Sequence, residues 1–282
     1  MQSITLRRLI TGDPGAPVLS VARPGRLITV SPLMDREDVA RLISKYDLLA
    51  VPVVDHGRVI GVVTVDDIMD AIVQETTEDL QKLGGMEALS EPYMEIGFWK
   101  MIRARGGWLA VLFLSETLTA SAMQTYQSEL EKAIVLTLFI PLIMSSGGNS
   151  GSQATSLLIR ALALRELDLH EWWRVALQEL PTGIALGAML GVIGIVRIAI
   201  WQQFGLYDYG EHWVLIGLTV AAALIGIVTF GSLTGSMLPF ILQRLGFDPA
   251  SASAPFVATL VDVTGLVIYF SVASLILRGT LL

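Results

Sequence analysis

The stretch ASAPFVATLVDVTGLVIYF, residues 252–270, decides how this chain is read. It is apolar at most positions. With the residues that follow, it covers the roughly 20 positions that a membrane-spanning helix needs. It also holds one carboxylate, Asp262. An ionisable group inside a span costs about 2.5–3.5 kcal/mol on insertion scales, so such a residue is a functional hypothesis by default. The plain alternative is an Asp262 paired with Arg197 or hydrogen-bonded within a helix bundle. Thr259, Thr264 and Gly265 flank it and make that helix face small and polar, which suits a water-filled path.

Working outward, it is the last of five apolar segments in the C-terminal part: residues 107–126, 133–159, 182–201, 213–242 and 255–277. The second is broken by Pro141 and by SSGGNSGSQ, residues 145–153, which is tolerable only where it faces protein or water rather than lipid. Gly147, Gly148 and Gly151 there allow close helix approach and leave backbone carbonyls accessible, with plain packing as the alternative. Asn149 and Gln153 add side-chain oxygens four residues apart on one helical face. Glu116, in the first segment, is a second intramembrane acid with three placements open: the path, a pair with Arg197, or an interface. Trp172, Trp173 and Trp201 read as interfacial anchors.

Composition agrees. Of 282 residues, 53% are hydrophobic and 16% charged, with a mean hydropathy of +0.62, against about a quarter charged in a soluble globular protein. The absence of cysteine removes disulfides, zinc–thiolate sites, iron–sulfur clusters and cysteine nucleophiles. The three histidines form no HExxH pair, so an intramembrane metalloprotease is excluded. Residues 1–97 carry 15 acids and 9 bases, and the remainder 11 and 10, so an acidic module precedes a membrane domain. A net charge of −7 without a basic stripe argues against nucleic acid. No signal peptide is expected at the N-terminus. Arg103, Arg105, Arg160, Arg165, Arg174 and Arg244 on one side, against Lys132, Arg197 and Arg278 on the other, place the acidic module in the cytoplasm and the C-terminus outside a cell membrane.

The acidic module begins with a β-like run at 26–30, then a helical pattern opened by Asp35–Asp38 with Val39, Leu42 and Ile43 at i, i+3, i+4. A strand over 49–54, a turn at Asp55-His56-Gly57, a strand over 58–65 and a helix from Asp66 follow. YDLLAVPVVDHGRVIGVVTVDDIMDAI resembles a CBS domain, expected over residues 21–74, with residues 1–20 resembling the tail of a preceding copy. The resemblance extends to adenine nucleotides such as ATP, with Thr64 and Asp67 holding ribose hydroxyls, although one full copy leaves that pocket incomplete.

Residues 66–95 contain nine acids against one base, Lys82. Asp67 and Asp70, and Glu75 with Glu78 and Asp79, share helical faces. Like charges so spaced destabilise a helix by about 0.2–0.5 kcal/mol per pair unless a cation lies between them. A solvated face is the bland reading and cation sensing the sharper one, because the run, within an expected connecting segment 75–106, joins a sensory-type domain to a pore-type domain over 107–282.

PLIMSSGGNSGSQA together with ASAPFVATLVDVTGLVIYF, behind a CBS-like segment, resembles the MgtE family of magnesium channels from about residue 26 onward. The resemblance implies a multi-domain chain, an α/β CBS domain followed by an all-α membrane domain with five transmembrane helices, working as a homodimer rather than as an enzyme. It implies a pore at the dimer axis lined by the second and fifth spans, with Gly147, Gly148, Asn149, Gln153, Thr259 and Gly265 along it. Asp262 and the backbone of Ala258 would hold Mg²⁺ there. Asp67, Asp70, Glu78, Asp79 and Asp248 match its regulatory acids, through which cytoplasmic Mg²⁺ closes the pore. Against the family pattern the start lacks the acidic helical domain and most of the first CBS copy, so closure is expected to need more Mg²⁺ or be incomplete. A broader carrier for Mn²⁺, Co²⁺ or Ca²⁺, and a non-conducting membrane-tethered nucleotide sensor, are the competing readings.

Overall fold

A computed structural model describes residue 4 and residues 6–21 and 27–281. The chain divides into two compact units, Met1–Thr77 and Glu78–Leu282. In the first, α1 (Leu6–Thr11) and α2 (Val18–Val21) precede α3 (Arg36–Lys45), β1 (Ala50–Asp55), β2 (Arg58–Thr64) and the start of α4 (Val65–Leu83). Asp35 caps α3 by accepting from the Glu37 amide at 2.9 Å. β1 and β2 form an antiparallel hairpin whose two turn residues, His56 and Gly57, both have positive φ, at 45° and 78°. That pair of left-handed residues is what a tight turn matching strand twist requires. Val30, Val39, Ala40, Ile43, Val51 and Ile68 close a small core between the hairpin, α3 and α4.

The β-like run expected at 26–30 becomes a single parallel bridge, Val30 to Val53; residue 26 lies outside the described residues. The Val30 amide donates to the Pro52 carbonyl and the Val54 amide to the Val30 carbonyl. Extending the ladder upstream would need an amide on Pro52, which proline lacks. The strand-like part of the tail expected at the N-terminus lies mostly outside the described residues; α1 occupies its helical part.

The second unit is helical. After the last turns of α4 come α5 (Phe98–Thr125), α6 (Gln127–Lys132), α7 (Ile140–Ala163), α8 (Trp172–Gln203), α9 (Trp213–Arg244) and α10 (Ala254–Ile276). Among the described residues, four stretches are long and apolar enough to cross a membrane: Ile134–Ala163, Leu169–Gln203, Trp213–Arg244 and Ala254–Ile276. Five spans were expected. The first of them coincides with α5, which at 28 residues is long enough but is diluted by Lys100, Arg103, Arg105, Glu116 and several Ser and Thr. The expected 182–201 span is the inner part of a longer helix, because Pro181 is accommodated inside α8 rather than ending it.

α9 is the hub, packed on α7, α8 and α10. Glycines permit this. A Cβ on Gly187 of α8 would lie 2.6 Å from the Ile225 Cα, and one on Gly231 or Gly235 of α9 would meet the carbonyl oxygen of Gly147 or Gly151 of α7. At such distances backbone faces backbone, and small residues are the means by which apolar helices gain dispersion and interhelical hydrogen bonds. Those bonds are present: Ser150 Oγ lies 2.7 Å from Ser232 Oγ, and Thr155 Oγ1 donates to the Gly235 carbonyl at 2.8 Å. Gly187→Ala is expected to destabilise the bundle by about 1–3 kcal/mol, as overpacking against rigid backbone does. Gly194→Ala, whose Cβ would meet the Val220 side chain at an ordinary 3.5 Å, is expected to be tolerated. Thermal unfolding in detergent checks both.

Candidate functional site

Serine, asparagine and glutamine at 145, 149, 152, 153 and 156 recur along one side of α7, and Ser145, Asn149, Gln153 and Ser156 are exposed. Asn149 Nδ2 donates to Ser145 Oγ at 3.3 Å within this stripe. α10 lies beside it, antiparallel. Ser152 Oγ donates to the Ala254 carbonyl at 3.4 Å, a Cβ on Gly148 would rest 3.3 Å from the Ala258 Cβ, and one on Gly265 would rest 3.2 Å from the Met144 side chain. Asp262, one turn beyond Ala258, therefore lies level with the N-terminal part of the α7 stripe.

Asp262 is half-buried, and among the described residues it has neither an ion-pair partner nor a hydrogen-bond donor. Arg197 does not serve it: that guanidinium lies 4.0 Å over the Trp201 ring and 6.0 Å from Phe139. Glu116, another carboxylate, is exposed on α5, the helix that packs on α10. Glu116 was the acid without a clear placement in sequence. Its signal was its presence in an apolar segment, and the structure puts it on the helix that packs on α10.

The rest of α10 is firmly held. At its start, Ser253 caps the Phe256 amide and accepts from the Trp108 indole at 3.1 Å. At its end, Tyr269 donates to the Leu136 carbonyl at 2.9 Å and Phe270 stacks on Tyr126 at 4.8 Å. Thr259 turns its hydroxyl to the Pro255 carbonyl. Gly147 is buried between Ile227 and Val261, and Gly265 beneath Met144, so both serve the close approach of helices. Asn149 and Gln153 keep their amides on the exposed stripe.

Residues 140–272, which enclose this face, match the family described as MgtE, a divalent cation transporter, and residues 18–74 match the CBS domain. In one chain, the MgtE match follows the CBS match. Proteins named "Magnesium transporter MgtE" from Thermus thermophilus, Enterococcus faecalis and Bacillus subtilis are 42%, 36% and 32% identical to it over 96–98% of its length. The chain spans 58–59% of the length of these relatives.

The acids ahead of the MgtE domain fall into two settings. Thr64 and Asp67 are engaged with each other at the start of α4: Asp67 Oδ2 accepts from the Thr64 hydroxyl at 2.6 Å and from its amide at 3.1 Å, which is half of a capping box. The hydroxyl bond, then the amide bond, hold the Asp67 carboxyl below its ordinary pKa. Asp70 is exposed on the same helix. In the last turns of α4, within the helical unit, Lys82 Nζ contacts Glu78 Oε1 at 2.5 Å and Asp248 Oδ2 at 2.6 Å. Burial alone would lower the Lys82 pKa; hydrogen bonds to Asp248 and Glu78, with their charges, outweigh it and raise it. Asp79 is half-buried beside Glu78 in sequence. Among the described residues no three His, Asp or Glu side chains converge as a metal cluster within the chain.

Because the Asp67 pKa is depressed, the cap's contribution is present above about pH 3.9, the ordinary aspartate value, and fades as pH falls through the lower folded value. Thr64→Val removes the principal bond, and the Asp67 carboxyl is expected to titrate closer to the ordinary aspartate value, read from its NMR carboxyl shift against pH.

Proposed function

We propose that this chain is the CBS and membrane portion of a Mg²⁺ transporter that admits the ion down its electrochemical gradient along the α7–α10 face. The observation that carries this reading is Asp262: a carboxylate inside an apolar helix, without a cationic or hydrogen-bonding partner in the described residues, beside a polar stripe on a helix long and apolar enough to span a membrane. Exposed amides and hydroxyls on such a helix need water or a protein partner, since lipid satisfies none of them. A second copy facing the first along this stripe meets that need, and the pore then lies on the axis of a homodimer, with one Asp262 from each subunit. α5 serves as the fifth spanning helix in that arrangement.

The chemistry suits Mg²⁺. It is a hard cation, takes oxygen ligands and gives up water reluctantly, so paired carboxylates, helix carbonyls such as that of Ala258, and side-chain amides can hold a largely hydrated ion. A divalent cation entering a cell gains about 4.6 kcal/mol per 100 mV of membrane potential, so uptake needs no coupled hydrolysis. The CBS unit and α4 face the cytoplasm in this reading. Their acids, Asp67, Asp70, Glu78 and Asp79, with Asp248, respond to cytoplasmic Mg²⁺ and bias the pore toward closure, a population shift driven by differential binding.

Two measurements test this. In proteoliposomes, Asp262→Ala and the isosteric Asp262→Asn are expected to lower Mg²⁺ uptake by about tenfold or more, the factor that ~1.4 kcal/mol of lost ion stabilisation gives. Wild-type uptake in both variants, with unchanged size-exclusion profiles, would remove Asp262 from the ion path; no uptake by the unsubstituted chain would return it to the class of non-conducting sensors, and competition with Mn²⁺, Co²⁺ and Ca²⁺ in the same assay measures selectivity. Replacing Asp67, Asp70, Glu78 and Asp79 together by Ala is expected to leave currents insensitive to cytoplasmic Mg²⁺; unchanged inhibition contradicts a sensing role.

A further inference from the structure

Lys82 is the one base in the acidic run 66–95, and the helical unit places it between two of the proposed Mg²⁺-sensing acids. Its ammonium lies 2.5 Å from Glu78 Oε1, one turn back on α4, and 2.6 Å from Asp248 Oδ2, in the loop before α10. Asp248 is itself fixed, because its other oxygen accepts from the Ala250 amide at 2.9 Å and caps the short helical turn Pro249–Ser251. The Lys82, Glu78 and Asp248 side chains are 26%, 35% and 37% exposed, so the network is neither free in water nor sealed.

We propose that Lys82 is a built-in counter-cation that holds the end of α4 to the α9–α10 loop in the absence of divalent ions and sets how readily such an ion takes over that joint. The proposal rests on the sensing role given to Glu78 and Asp248 above. The charge arithmetic supports it. With Lys82 the joint carries one net negative charge. Without it, two carboxylates face one another and separate unless another cation arrives. A Glu four residues before a Lys is the favourable orientation on a helix, and a cation in the last turn also meets the negative end of the helix dipole, so the ammonium is held on the α4 side. A hydrated divalent ion entering this joint competes with an ammonium already seated there.

The joint also has a route to the candidate ion path. Asp248 caps the turn that leads into Ser253, and Ser253 caps α10, the helix carrying Asp262. Asp262 is nine residues beyond Ser253, roughly 13 Å along the axis at 1.5 Å per residue. Fixing or releasing Asp248 therefore acts on the entry of α10.

The chain has no cysteine, so spin labels can be placed cleanly at Leu80→Cys and Leu245→Cys, two exposed positions flanking the joint within the helical unit. Pulsed electron–electron distances in the purified full chain are expected to be narrow with and without Mg²⁺ when Lys82 is present. Lys82→Met, which keeps bulk and loses charge, is expected to broaden and lengthen the distribution in Mg²⁺-free buffer and to recover it on adding Mg²⁺. Lys82→Arg is expected to stay narrow throughout. Asp248→Asn retains a capping oxygen but loses the charge, and is expected to broaden without full recovery by Mg²⁺. A narrow Lys82→Met distribution without Mg²⁺, or a broad one that Mg²⁺ does not narrow, overturns the proposal, as does a narrow Asp248→Asn. None of these readouts requires transport, so a failure of the Asp262 uptake experiment and a failure of the Lys82 assignment are separable.

Discussion

The helical unit depends on backbone meeting backbone along α9. Helices in a membrane gain little from burying apolar side chains against one another, because lipid tails are equally apolar. What distinguishes one arrangement from another is how closely the helices approach and which polar groups bond across the seam. Gly231 and Gly235 on α9 meet the carbonyls of Gly147 and Gly151 on α7, and Ser150–Ser232 and Thr155–Gly235 add hydrogen bonds between the same two helices. That seam fixes the rotation of α7. One side of the helix turns its glycines and Ser150 inward, and the opposite side is left with Ser145, Asn149, Gln153 and Ser156.

The placement of Asp262 follows from this rotation. α10 is pinned at its start by Ser253 and Trp108 and at its end by Tyr269 and Phe270, so its middle cannot turn independently. Val257 and Val261 pack into the core with α7 and α9, which leaves Ala258 and Asp262 on the side next to the α7 stripe. A carboxylate kept there without a partner costs stability in an apolar helix, and persists because the surrounding packing over-determines its position. The same logic places α5: its Trp108 ties it to Ser253 at the start of α10.

The α4 end obeys a different physics. Lys82, Glu78 and Asp248 are partly solvated, so their interaction is modest in free energy and sensitive to ions in solution. A joint built from weak, screened charge pairs responds to cations; one built from the glycine seams of α7, α8 and α9 does not. In the reading proposed above, a rigid bundle and an ion-sensitive connection rest on these two kinds of contact.

Much of this was legible in the sequence. Hydrophobic length marked α7 to α10, the broken SSGGNSGSQ stretch and the lone Asp262 marked the candidate face, and the VPVVD and GVVTVDD runs marked the hairpin and helix of the CBS domain, because each is a local property of residue type and spacing. The start of the acidic module was less legible: Pro52 reduces the expected strand near residue 30 to one bridge by removing an amide that only a neighbouring strand would have used. Polar dilution of α5 was legible as composition, yet its role depends on α10. The sequence by itself determined which helices are apolar and where single charges interrupt them. Only the tertiary structure decided that Gly147 and Gly265 serve packing while Asn149 and Gln153 stay exposed, that Arg197 lies over Trp201 rather than pairing with Asp262, and that Lys82 joins Glu78, one turn back on its own helix, to Asp248, 166 positions further along the chain. The physical reason is that helix rotation and charge pairing are set by contacts between distant segments, which no local spacing encodes.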